Sequence, residues 1–332
     1  MKAIQFSEFG GYDRLALTEQ PIPSIGDGQS LVRMRYAAVT PLDDTIRSGV
    51  LPYDLPLPLV PGGTALAEVV EAGTSGLKVG TRVLIGGRGL GMTQDGTWRE
   101  YMSVDSVQLT PIPEGLSDES VIAAVTGAGY LTAYLSLTEL ASFAPGQTVL
   151  SPGIGGSVGL GTVEIAKALG SPLAISTASR TDKAERGRAD GHEVIDLSKE
   201  SLSAGVRRLT DGRGVDVVVD GVGGPFTGEA LSVLAPGGRL VVVGYSGGKH
   251  ADVNVTDIIW RSARIFGFMF TQFSPETLLH ANQRIFELLH EGALKPMLAR
   301  TFSLEEAAEA TRYLIEDRPY GRVVLGFGGE SR

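Results

Sequence analysis

The chain has no cysteine in 332 residues. That absence excludes disulfides, thiolate zinc sites and cysteine nucleophiles together. Histidine is almost as scarce, with 4 in all: His192, His250, His280 and His290. None forms an H-x-x-x-H or similar ligand pair, so no metal site is expected. There is no basic block, and the net charge is −9, which disfavours a nucleic-acid role. No apolar run approaches the ~18–20 residues that span a bilayer. The start, MKAIQFSEFGG, lacks the apolar core and cleavage pattern of a signal peptide. The expectation is a cytoplasmic, soluble protein with neither a membrane nor a nucleic-acid partner.

What the chain has in excess is glycine. Its 45 glycines are about twice the average share, which implies many tight turns and close backbone approaches. The densest run, GQTVLSPGIGGSVGLGTVEIAKALG (146–170), organises the rest. It opens with a short buried-strand pattern, turns through Gly153, Gly155, Gly156 and Gly159, and continues with apolar residues at helical spacing. Strand, glycine turn and helix open a mononucleotide-binding βαβ unit. Small residues such as Gly153, Gly155, Gly156, Ser157 and Val158 let the backbone approach a pyrophosphate, and the helix N-terminus offers it unpaired N–H groups. The turn is not a strict G-x-G-x-x-G, because Val158 takes the sixth position. The flanking strand and helix are what distinguish it from a glycine-rich surface loop.

The second nucleotide strand ends in Ser176-Thr177-Ala178-Ser179-Arg180, with Lys183 one turn on. An NAD site carries an acidic residue near this point for the ribose 2′-hydroxyl. Here no carboxylate is expected at the tip. Ser176, Ser179, Arg180 and Lys183 suit a dianionic 2′-phosphate, so NADPH is the expected cofactor. The competing reading is a solvated basic helix start.

Around this stretch the periodicity changes once. Residues 1–122 read as mostly β, with short runs at 2–6, 15–19, 31–39, 66–72, 81–85, 98–104 and 107–109 divided by Gly and Pro clusters. That pattern suggests a partly open β-barrel. One helix, 42–48, follows Thr40-Pro41, a threonine cap and a first-turn proline. Residues 120–145 read as a helical connection. Beyond 146, apolar strands (149–151, 173–177, 193–195, 215–220, 238–244) alternate with helices (157–169, 181–189, 199–209, 226–234). Such alternation implies a doubly wound parallel sheet. Its strands are apolar on both faces, and Gly221, Gly223 and Gly244 stand at strand ends, where ligand crevices form. A further strand at 265–270, helices at 278–289 and 304–314 and a last strand at 322–327 complete the pattern.

Taken in order, several segments resemble one family: TPLDDTIRSG (40–49), PLPLVPGGTALAEVVEAG (56–73), GLKVGTRVLIG (76–86), DGTWREYMSV (95–104), AGYLTAY (128–134), the glycine turn, GVDVVVDGVGG (214–224), LAPGGRLVVVG (234–244) and GRVVLGF (321–327). The chain resembles the zinc-free quinone oxidoreductase branch of the medium-chain dehydrogenase/reductase superfamily, nearly end to end. The resemblance implies an α/β protein with a GroES-like β-barrel catalytic domain (1–122 and 268–332) and a Rossmann NADPH-binding domain (123–267). It implies an active site in the cleft between them, reduction of quinones or α,β-unsaturated carbonyl compounds, no metal, and a homodimer joined through the 265–270 edge strand.

Site residues follow from the same resemblance. Tyr53 can donate to the acceptor oxygen, or simply pack in a proline-rich loop. Thr40 can meet the nicotinamide ribose or substrate, or serve only as the helix cap; Asp43 reads as structural. Thr132 matches a position near the nicotinamide, or supports its helix. Gly221 and Val222 are expected cofactor contacts, and Gly244, Tyr245 and Ser246, after the fifth strand, border the nicotinamide and ribose. Phe268, Met269 and Phe270 wall the substrate pocket, or are core or dimer contacts. The chain departs from the family where Thr40 replaces asparagine, where Thr64 replaces the glutamate of Pro-Gly-x-Glu, and where Arg322 replaces lysine. Alternatives are a 2-enoyl thioester reductase, with Arg47, Arg88 and Arg99 as candidates for the phosphates, and a non-catalytic NADPH-binding sensor.

Overall fold

The computed structural model describes residues 1–51, 54–87, 89–125 and 129–328. They fall into two compact units, Met1–Ala128 with Met297–Arg332, and Gly129–Pro296.

The chain begins with strands β1 (Lys2–Gln5) and β2 (Ala16–Glu19), an antiparallel pair. Strand β3 (Gln29–Ala38) leads into helix α1 (Pro41–Arg47). Strands β4 (Thr64–Glu71), β5 (Arg82–Gly86), β6 (Tyr101–Asp105) and β7 (Leu109–Pro111) precede helix α2 (Asp118–Val125). In β3, Val32 and Met34 point inward while Arg33 faces out, the alternation of a half-buried antiparallel strand.

In the second unit, helix α3 (Gly129–Leu135) precedes β8 (Val149–Ser151), α4 (Ser157–Ala168), β9 (Ala174–Ala178), α5 (Thr181–Ala189), β10 (Glu193–Asp196) and α6 (Leu202–Leu209). Next come β11 (Val215–Asp220), α7 (Pro225–Ser232), β12 (Leu234–Val242), α8 (Val255–Arg261), β13 (Arg264–Gly267) and α9 (Pro275–His290). Among the described residues the sheet has 6 strands in the order β10-β9-β8-β11-β12-β13, all parallel. The first strand therefore sits at the centre, and the winding reverses between β8 and β11. A ligand crevice opens beyond the strand ends at such a reversal.

The chain then returns to the first unit through β14 (Leu298–Ser303), α10 (Ala307–Arg312) and β15 (Arg322–Gly326). Its main sheet runs β14-β15-β3-β4-β5-β7, with β6 also paired to β3. Strand β15 lies antiparallel to β3, so Val323, Leu325 and Phe302 complete the core started by Val32, Met34, Val83, Ile85 and Trp98. Trp98 is buried, and its indole N–H donates to the Ala38 carbonyl at 3.0 Å.

Several elements differ from the sequence reading. Strand β12 starts at Leu234, ahead of a bulge: Leu234 pairs with Val215, and pairing resumes only at Arg239 with Val217. The Pro-Gly-Gly within that bulge hides the early start. Strand β13 stops at Gly267, and Phe270–Gln272 forms a 3₁₀ turn. The sequence does not signal strand β14, because only Phe302 of LARTFS is buried and half of its residues are exposed. The units divide at Met297 rather than near 268. The reason is α9, whose buried Ala281, Ile285, Phe286 and Leu288 require the cover that α3 provides.

Candidate functional site

The site is built from the carboxyl ends of β8, β9, β11 and β12. After β8 the chain turns at Gly153, whose φ of 79° lies in the left-handed region, and its N–H donates to the Thr177 carbonyl at 3.1 Å. Ile154 N–H joins the same carbonyl at 2.9 Å. The turn is thereby fastened to β9 before α4 starts. Gly156 caps α4 in an extended conformation with no side-chain cap, so the first-turn N–H groups are left for an external acceptor. Gly159 closes the cradle: a Cβ there would lie 2.3 Å from the Gly153 carbonyl oxygen and 2.5 Å from that of Pro152. Gly155 is buried, while Gly156 is exposed and Ser157 and Val158 are half-buried at the helix start.

Helix α4 is seated on α3 by a buried polar pair. The Tyr130 hydroxyl donates to Glu164 at 2.7 Å, and the Lys295 N–H donates to the same carboxylate oxygen at 3.0 Å. Burial pushes the Glu164 carboxyl above its ordinary value, against these hydrogen bonds. Thr132 is buried on α3 in the same unit.

At the tip of β9 the predicted cations are present, together with an unforeseen carboxylate. Ser176 is buried, its hydroxyl donating to the Ser151 carbonyl at 2.7 Å. Ser179 and Arg180 are exposed, and Lys183 is half-buried one turn on. Arg180 grips Asp182 through two edges of its guanidinium, Nε to Oδ1 at 3.0 Å and Nη2 to Oδ2 at 2.6 Å. The Arg180 hydrogen bond holds the Asp182 carboxyl below its usual range. The start of α5 is anchored behind them, where the Thr181 hydroxyl donates to Asp196 at 2.8 Å. Ser198 donates to the other oxygen of Asp196 at 2.6 Å, and this bond leads in holding that carboxyl down at about 2.

Beyond β11 and β12 two loops lock together through their backbones. Asp220, fully buried at the end of β11, accepts the N–H groups of Val222 and Gly223 at 2.9 Å each and the Thr227 hydroxyl at 2.7 Å. This residue, missed by sequence reasoning, shapes the Gly221-Val222 turn. Its signal was an acid closing the apolar run VDVVVD. A Cβ on Gly223 would lie 2.6 Å from the Gly244 carbonyl oxygen, and one on Gly244 2.4 Å from that of Gly221. Gly221 and Val222 are half-buried, and Tyr245 and Ser246 are exposed. Phe268 meets Phe270 edge-on at 4.9 Å, while Met269 is 63% exposed.

In the first unit Thr40 caps α1. Its hydroxyl and its N–H both donate to one oxygen of Asp43, at 2.6 and 2.7 Å. Asp43 is buried and also accepts from the Gly62 backbone; desolvation pushes its carboxyl up to about 6 despite these bonds. Tyr53, the other catalytic candidate, and Arg88 lie outside the described residues. Among the described residues no group of three or more His, Asp or Glu is placed to hold a metal ion. With no cysteine in the sequence either, the described side chains do not fit a zinc centre. No single described helix is long and apolar enough to cross a membrane.

Fold and site define a two-unit α/β protein with a dinucleotide-binding sheet. Its sequence matches the alcohol dehydrogenase GroES-like domain over residues 26–114 and the family described as zinc-binding dehydrogenase over 190–325. A quinone oxidoreductase of Pseudomonas aeruginosa is 32% identical over 330 residues, covering 98% of this chain and 99% of that protein. The human synaptic vesicle membrane protein VAT-1 homolog is 27% identical over 354 residues, covering 100% of this chain and 88% of that one. Among solved structures, an NAD-dependent alcohol dehydrogenase superposes with TM-score 0.88 at 31% identity, covering 99% of this chain and 100% of its own. Escherichia coli quinone oxidoreductase complexed with NADPH superposes with TM-score 0.85 at 25% identity, covering 98% and 100%. The chain belongs to the quinone oxidoreductase branch of the medium-chain dehydrogenase/reductases, a family of NAD(P)H-dependent reductases.

Proposed function

We propose that this chain reduces quinones or α,β-unsaturated carbonyl compounds with NADPH and without zinc. The observation that carries the reading is the cradle at Gly153–Gly156–Gly159. It combines a turn fastened to β9, an uncapped helix N-terminus and a glycine whose Cβ would collide with the turn. That cradle fits a pyrophosphate. The exposed Arg180 and the nearby Lys183 favour a 2′-phosphate over a bare ribose. We assign the remaining cofactor contacts to Ser157, Val158, Ser179, Gly221, Val222, Gly244, Tyr245 and Ser246; Ser176, expected among them, is fully buried with its hydroxyl on the Ser151 carbonyl and does not reach the cofactor. Thr132 and the 268–270 segment are assigned to its nicotinamide end.

A bound NADPH supplies the hydride. The protein's task is to position the acceptor and to meet the charge that develops on its oxygen. Thr40 is poorly placed to donate, because its hydroxyl hydrogen is committed to the Asp43 carboxylate at 2.6 Å. One lone pair of that oxygen accepts the Asp43 N–H at 3.4 Å as the helix cap, and the other remains for a ribose hydroxyl. Tyr53 is then the donor to the acceptor oxygen. We also infer a homodimer formed through the edge of β13. Ile265 on that strand is 47% exposed, and Ile259 and Trp260 on the preceding helix are 64% and 79% exposed. An apolar edge of this kind calls for cover.

The test is NADPH oxidation by the full chain with a panel of quinones and enones. Turnover that falls at least about ten-fold in Tyr53→Phe with little change in KM supports the reading. Tight NADPH binding with no turnover on any acceptor would favour a sensor instead.

A further inference from the structure

The pair at the tip of β9 has the geometry of an occupied phosphate site. Arg180 presents its Nε and Nη2 edge, the fork that matches a phosphate or a carboxylate with two parallel bonds. Asp182 fills that fork at 3.0 and 2.6 Å. Both side chains stand in solvent, 62% and 60% exposed. An ion pair so exposed is held weakly and exchanges readily. The backbone beneath is fixed, because Thr181, between the two residues, is tied to Asp196 at 2.8 Å and to Ser198 at 3.1 Å. The two partners therefore stay within reach whatever the side chains do.

We propose that Asp182 stands in for the ribose 2′-phosphate in the free protein, and that its displacement from Arg180 sets the strength of NADPH selection. This rests on the reading that NADPH is the cofactor. A phosphate monoester brings close to two negative charges against the single one of Asp182, so it wins the fork. Once displaced, the carboxylate remains nearby and repels the phosphate, so the net gain is smaller than Arg180 alone would supply. NADH lacks the phosphate and leaves the pair intact. Asp182 is thus a specificity-determining residue that tempers the preference for NADPH by weakening its binding, without touching that of NADH.

Calorimetric titration of the full chain and of Asp182→Asn with NADPH, NADH and 2′,5′-ADP tests this. The variant keeps the shape of the side chain on an exposed turn. It should bind NADPH and 2′,5′-ADP about five- to ten-fold more tightly, the gain expected from removing one unit charge at contact distance in a wet site. NADH affinity should stay within about two-fold, since it has no group that couples to the fork. In an Arg180→Ala background the gain should largely vanish. Unchanged or weakened binding of the two phosphate-bearing ligands would overturn the proposal, because Asp182 would then align Arg180 or do nothing. An undiminished gain in the Arg180→Ala background would also overturn it, leaving only repulsion at a distance. If both proteins bind NADPH no more tightly than NADH, the cofactor reading fails and this inference falls with it. If the unsubstituted chain prefers NADPH and Asp182→Asn does not strengthen it, only the displacement fails.

Discussion

Gly159 has far less room for a side chain than Gly153 or Gly156 of the same turn. Its would-be Cβ lies 2.3 Å from backbone that is itself fastened to β9, so no rotamer change relieves the clash. Gly159→Ala should destabilise the chain by about 1–3 kcal/mol and weaken NADPH binding, measured by denaturant unfolding and by titration. Unaltered binding would show that the turn is not the pyrophosphate cradle. Asp43 offers a pH test. Its carboxyl is raised from 3.8 to about 6 by burial. The folded chain therefore holds this proton more tightly than the unfolded chain, and the associated stability is fully present below the unfolded value and lost as pH rises through about 6. Asp43→Asn should flatten that slope, shifting the stability difference in its favour by about 2–3 kcal/mol from acid to neutral pH. Parallel urea-unfolding curves across that range would contradict this. The Thr40 cap was legible from Thr-Pro before an apolar run. The hydrogen bond that Asp43 accepts from Gly62 was not, since the two stand far apart in sequence.

At the scale of elements, strands covered on both faces were easy to read, because apolar runs such as VDVVVD leave few alternatives. Less visible were features set by pairing: the bulge that lets β12 begin at Leu234, and the half-exposed strand β14. The glycine turn showed in the sequence despite Val158, since strand and helix flank it. The tip of β9 was half legible. The sequence presents Ser179, Arg180 and Lys183 as candidate phosphate ligands but does not pair Arg180 with Asp182, because only side-chain geometry joins them. Replacing Arg180 and Lys183 together by alanine should raise the NADPH dissociation constant about 10- to 100-fold, as expected for lost charge-assisted bonds, with NADH within about three-fold. Equal losses for both cofactors would point to a collapsed turn rather than to phosphate recognition.

For the whole molecule, the return of the chain's last segment to the first unit was foreseen from the final apolar strand, which β15 fulfils by pairing with β3. The amphipathic pattern of α9 states that one face is covered, not by what, so the sequence alone does not place the division at Met297. At this scale the apolar edge at β13 makes its own prediction. Ile265→Lys should convert a dimer to monomers in sedimentation while leaving the fold intact, because Ile265 is 47% exposed in the single chain. An unsubstituted chain that already sediments as a monomer would refute that assembly. The account as a whole depends on one ligand, and the most direct measurement is the melting temperature of the full chain against NADPH concentration. A ligand that binds only the folded chain adds about 2.7 kcal/mol at a hundred times its Kd. The account predicts a rise of several degrees that continues with concentration and exceeds the rise given by NADH. A melting temperature unmoved by NADPH would contradict it.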